Sequence, residues 1–210
     1  MSRIVQLHSD CAEELKLAAR HLGKPQSQTT PNRSTSNGFV ERHLGVTIDA
    51  AIANLYTGGA PHTWYPSAAK HHCVVWNNMQ HEGDETPHMQ RHGKEFDGMI
   101  LPYLSACKLL PEKKTRVPSP TFMNHDRAGL FVGWYFEPGN RWKGDYYVAP
   151  MSQFKKLPIE PGTPLRVVRT KDVYKTEGEP SFPLAASRNA AEFAVEKITE
   201  EVSETNSHVS

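Results

Sequence analysis

Two carboxylates, Asp10 and Glu41, are the residues whose type and setting point most directly to chemistry. Hard divalent cations prefer oxygen ligands, and two of them about 3.5–4 Å apart can hold both the attacking and the leaving oxygen of a phosphodiester. A converging pair of this kind therefore reads as a candidate metal-holding centre for cutting or joining phosphodiesters. The loop between them is made of Ser, Thr, Asn and Gly, residues that turn a chain readily. Spacing alone also fits, and by itself favours, a plainer arrangement in which Asp10 ends a strand and Glu41 is one more solvated helix residue.

The elements that would position the pair follow from periodicity. Residues 4–7, Ile-Val-Gln-Leu, form a short β-branched and apolar run that leads to His8-Ser9-Asp10, placing the carboxylate at a strand tip. Residues 12–21 read as a helix, with Leu15, Ala18, Ala19 and Leu22 at helical spacing and a stop at Gly23 and Pro25. A short extended piece over 26–30 precedes the turn-forming loop 31–38. From Phe39, the positions Val40, Leu44, Ile48, Ala51 and Leu55 predict an amphipathic helix ended by Gly58-Gly59 and Pro61, with a second helix over 64–77. Glu41 falls in the first turns of the former.

Residues 79–95 lack periodicity and read as a linker. Beyond it come short runs rich in Val, Phe, Tyr and Trp, at 129–135, 145–149 and 165–169. Pro138-Gly139-Asn140 between the first two is a hairpin signal, and the three together predict a small all-β barrel. Past Pro183 one helix over 190–202 is expected, then a disordered polar tail.

The string His8-Ser9-Asp10, and after the first helix Thr30-Pro31-Asn32-Arg33-Ser34-Thr35-Ser36-Asn37-Gly38-Phe39-Val40-Glu41-Arg42, resembles the second and third acidic blocks of retroelement integrases. Phe96-Asp97-Gly98 and Arg127-Ala128-Gly129-Leu130-Phe131-Val132-Gly133-Trp134 are similar to the small barrel that follows the catalytic domain in the Copia type of LTR retrotransposon. The resemblance implies an α/β fold: a partial ribonuclease-H-like catalytic core over 1–78, linker 79–95, an SH3-like (Src-homology-3-like) β-barrel over 96–180, and a helical or disordered tail over 181–210. It implies Asp10 and Glu41 as catalytic residues and ligands of Mg2+ or Mn2+, Asn37 and Arg42 beside nucleic acid, and DNA integration by 3′-processing and strand transfer. It further implies DNA partners (element ends and target), a homo-oligomer or a complementing integrase chain, and a nuclear location. The family uses a third carboxylate, an aspartate on an earlier strand, which no residue before Asp10 matches. With two of three ligands, weak metal binding and strand transfer near background are expected of these residues alone. The rival reading is a non-catalytic interaction module or relic.

Composition bounds these readings. Lys and Arg number 24 against 23 Asp and Glu, so bulk charge does not argue for nucleic acid. Its distribution does: residues 101–180 hold 13 basic against 8 acidic residues, and residues 181–210 hold 2 against 5. Arg141, Lys143, Lys155 and Lys156 beside Trp134, Trp142, Tyr146 and Tyr147 suggest a basic, aromatic face for DNA backbone. The same aromatics would equally fill a barrel core. Cys11, Cys73 and Cys107, odd in number and far apart, read as free thiols of an intracellular compartment. No apolar run is long enough to span a bilayer, and the first eight residues have no signal-peptide core, so neither membrane insertion nor secretion is expected. His71-His72-Cys73 with His81, His88 and His92 lacks zinc spacing and reads as surface histidines. Lys113-Lys114-Thr115-Arg116 is short for a nuclear signal.

Overall fold

A computed structural model describes residues 6–9, 12–28, 38–79, 85–110 and 126–207. Strand β1 (Leu7–Ser9) pairs in parallel with β2 (Gln26–Gln28), and helix α1 (Glu13–His21) joins them. Parallel neighbours need such a crossover. Acidic Glu13 and Glu14 open α1 while Arg20 and His21 close it, matching the helix dipole at both ends. The first strand lies later than the expected 4–7, of which residues 4 and 5 are outside the described residues. A side-chain bond from Gln26 Nε2 to Ser9 Oγ, 2.6 Å, helps set the parallel register.

Helix α2 (Gly38–Gly58) ends as its Gly-Gly pair predicts. Gly59 takes a φ of 71°, a left-handed conformation that costs glycine little, and the Ala60 and Gly59 amides bond back to the Leu55 and Tyr56 carbonyls. That turn lets a 3-10 turn (His62–Trp64) and helix α3 (Tyr65–Asn77) fold back along α2. The expected linker contains a short helix, α4 (Pro87–His92), capped by the Thr86 hydroxyl at its start and by left-handed Gly93 at its end.

Five strands make one antiparallel sheet: β3 (Ala106–Leu109), β4 (Arg127–Glu137), β5 (Arg141–Pro150), β6 (Val168–Thr170) and β7 (Val173–Lys175), in the order β6-β5-β4-β3-β7. The β4–β5 hairpin turns at Gly139 and Asn140, both at positive φ, as the Pro-Gly-Asn signal predicts. Only Lys171 and Asp172 separate the two edge strands, so the sheet must curl until its edges meet. The Leu110 amide bonds to the Asp172 carbonyl, 3.1 Å, one step beyond the β3–β7 ladder. The run expected as a strand over 165–169 instead starts pairing at Val168.

Both faces of the sheet are covered. Tyr146 and Val148 of β5 point into an inner cluster with Leu101, Cys107, Leu109, Phe131, Trp134 and Val173. Ala149, one step along, joins Leu130 and Val132 on the opposite face, against Ala51, Leu55, Trp64, Ala68, Tyr103, Leu104 and Leu184. The latter cluster joins residues from both sides of the expected linker and one from the tail. The molecule is thus a mixed α/β structure in which helices lie on a curled antiparallel sheet. Where a disordered tail with a helix over 190–202 is expected, helix α5 (Pro183–Ser207) begins earlier. Burial of Leu184 and the Arg188 guanidinium over the Tyr56 ring, 4.6 Å from its centre, hold its first turns to the body.

Candidate functional site

Glu41 stands in the first turn of α2, as expected, and is exposed; Arg42 beside it is exposed too. A carboxylate at a helix N-terminus is stabilised by the dipole there, which is a structural reason for an acid at this position as well as a chemical one. Strand β1 ends at Ser9, the residue before Asp10. Asp10 and Asn37 lie outside the described residues, so no Asp10 to Glu41 distance is defined. Among the described residues no group of three or more His, Cys, Asp or Glu is placed to hold a metal ion. Glu41 by itself is a single carboxylate, which does not make a two-metal centre.

The basic residues expected at DNA occupy two places. Arg141 and Lys143 open β5 directly after the hairpin turn, both exposed. Lys143 Nζ sits 2.9 Å from Glu137 Oε2, and Arg141 faces Glu137 across the ladder. Hydrogen bonding to Lys143, with the charges of Lys143, Arg141 and Arg169, holds the Glu137 carboxyl below the usual carboxylate range. Lys155 and Lys156 follow a 3-10 turn (Met151–Gln153) and are exposed beside Phe154, whose ring lies 5.8 Å from Trp64.

Arg169 is a residue that sequence reasoning missed, because nothing in the spacing of its strand singles it out. Its guanidinium bonds to the buried Asp145 carboxylate at 2.7 Å and lies 3.8 Å over the Tyr135 ring, which Tyr147 meets edge-on at 5.7 Å. Pairing with Asp145 tethers it in place.

The large aromatics choose the core. Trp134 donates from Nε1 to the Met99 carbonyl, 3.0 Å; Trp142 donates to the Asp145 carbonyl, 3.0 Å, with its ring against Phe96 and Tyr146; and the Tyr146 hydroxyl accepts from the Met99 amide, 2.9 Å. Trp134 and Tyr146 are thus core residues, and Trp142 packs half-buried against them. Burial of their rings is the larger gain and their polar tips are satisfied inside. Tyr147 is half-buried.

The expectation of surface histidines fails at His71, which is buried in the middle of α3. Adjacent helical positions point about 100° apart, so His72 lies half-buried near Trp76 while His71 faces the sheet. His88 and His92, one helical turn apart on α4, have ring centres 4.5 Å apart. Exposed Cys73 and buried Cys107 are free thiols, and burial pushes the Cys107 thiol up to about 12.

No protein-family model matches this chain, and no curated protein matches it. Among the described residues no helix is long and apolar enough to cross a membrane.

Proposed function

We propose that these residues are a nucleic-acid-binding portion of a Copia-type retroelement integrase, and that DNA is their partner. What supports the reading is one succession of elements. A parallel β1-α1-β2 unit ends its first strand at Ser9, the residue before Asp10 in the sequence, a helix follows with Glu41 in its first turn, and a five-stranded antiparallel sheet comes next, with its last strand back beside its first. We read the first part as a portion of a ribonuclease-H-like core and the second as an SH3-like barrel. In this reading Asp10 and Glu41 are ligands of Mg2+ or Mn2+, and Arg42, Arg141, Lys143, Lys155 and Lys156 meet DNA phosphates. With two carboxylates of the family's three, strand transfer by these residues alone stays near background.

A specific observation favours the second reading, a non-catalytic interaction module: Trp134, Trp142 and Tyr146 are turned inward, and Lys143 is paired with Glu137. Fluorescence anisotropy with a labelled duplex across a salt series separates the two. Non-specific DNA binding releases counterions, so affinity should fall steeply with salt and depend little on base sequence. The variant Arg141→Ala/Lys143→Ala/Lys155→Ala/Lys156→Ala should bind more weakly, its salt slope reduced by about one for each phosphate it no longer neutralises. Unchanged affinity and slope would put the interaction module ahead. Isothermal titration with Mg2+ or Mn2+ addresses the carboxylates: any binding should be lost in Asp10→Asn and in Glu41→Gln.

A further inference from the structure

His71 is 4% exposed, on the face of α3 that lies against the sheet. Its ring is 5.2 Å from that of Trp134, with Tyr103 and Phe131 edge-on at 5.6 and 6.1 Å. Nε2 lies 2.8 Å from the Leu101 carbonyl oxygen. A carbonyl only accepts, so Nε2 carries the proton and Nδ1 keeps a lone pair. Nδ1 is buried without a hydrogen-bond partner. One tautomer of the neutral ring fits this place, and an N–H formed at Nδ1 would have no acceptor to donate to. We propose that His71 is an acid-sensitive latch: while neutral it holds α3 to the sheet through Leu101, and when Nδ1 takes a proton it releases the helix.

The groups around the ring give no relief to an imidazolium. From α3 itself His72 opposes a second positive charge. From the segment before β3 comes Tyr103, whose hydroxyl bonds to Ser67 and which burial keeps neutral, its pKa pushed up to about 12. Strand β4 presents Phe131 and Trp134. Among the described residues none of the groups acting on the ring is a carboxylate. Attraction between a cation and the tilted Trp134 ring offsets only part of the desolvation cost. Burial accordingly lowers the His71 pKa from the ordinary 6.5 to about 4, and the Leu101 bond opposes this only in part. The unfolded chain therefore binds a proton that the folded chain refuses between those two values. Stability contributed by His71 is complete above about pH 6.5 and is lost as pH falls toward about 4.

Urea unfolding of the full chain between pH 7.5 and 4 tests the latch, with His71→Gln as control, since glutamine can still donate to the Leu101 carbonyl but does not titrate. Within the window, the wild-type unfolding constant should climb by up to tenfold per pH unit beyond that of the variant. Matching slopes in the two proteins overturn the proposal. Should the variant not fold, nitrogen-15 NMR of wild-type histidines decides. A neutral ring protonated at Nε2 down to about pH 5 supports the latch, and titration of His71 near 6.5 in the folded protein refutes it. Amide exchange at pH 5 then locates the loosening. Protection should drop in residues 65–77 ahead of β4 and β5, and a uniform drop would mean that His71 does not act on α3.

Discussion

In the C-terminal half of α2, Ala51 and Leu55 are buried against Trp64, Ala68 and Leu104; in its N-terminal half Val40, Leu44 and Ile48, on the same helical face, are exposed. Leu55 is 3% exposed and Leu44 57%. One apolar stripe thus runs the length of the helix, and only its second half is buried. A period of 3.6 residues names a face but not what covers it. Glu41 belongs to the uncovered half, so the candidate chemistry and the main core sit at opposite ends of one rigid rod. Each can be perturbed without much effect on the other.

Truncating the two ends should give very different costs. Trp64→Ala removes a 3%-exposed side chain whose Nε1 donates to the Thr163 carbonyl at 2.7 Å, and should destabilise by about 3–5 kcal/mol in urea unfolding. Leu55→Ala should cost about 2–5 kcal/mol, against about 0.5 kcal/mol or less for Leu44→Ala. Equal costs at Leu44 and Leu55 would break the comparison, by showing that the N-terminal half is covered in solution.

The junction that ends the buried half can be tested by itself. A Cβ at Gly59 would come within 2.3 Å of the Ala185 backbone nitrogen, and its φ of 71° is strained for alanine. Gly59→Ala should therefore cost about 2 kcal/mol or more and loosen the start of α5, which amide exchange over residues 183–190 would report. Little change would mean that α2 and α5 do not meet so closely.

A finer contrast comes from exchange in the wild type. Amides of α1 and of residues 38–47 should exchange faster than those of β4, β5 and α3, because few buried apolar side chains hold them. Uniform protection would erase the distinction. A small effect is also expected of Glu41→Gln: an exposed carboxylate in a first helical turn contributes about 0.3–1 kcal/mol through the dipole, so stability should fall by no more than that. A larger loss would show that Glu41 is part of the packing.

Local patterns carried much of the fold. Gly58-Gly59 with Pro61 marks the end of α2, Pro138-Gly139-Asn140 marks the β4–β5 turn, and the spacing of Val40, Leu44, Ile48, Ala51 and Leu55 marks the apolar face. Each is a short-range property of backbone conformation or side-chain period, which neighbours in sequence largely determine. Strands β3 and β7 left no such mark, because they are four and three residues long and gain their hydrogen bonds from each other and from β4, far away in the chain. Glu41 was legible from its place after a capping-rich loop, whereas Arg169 was not, because its setting depends on Asp145 and Tyr135 from other strands.

By itself the sequence determined which stretches are helical or extended, where they turn and which residue types are available for chemistry. Only the tertiary structure decided that Trp134, Trp142 and Tyr146 face inward, that α2 and α3 cover the sheet, and that His71 rather than His72 is buried. Those outcomes depend on which surfaces meet. Burial of a side chain is a property of the pair of surfaces that exclude water between them, and no single segment carries that information.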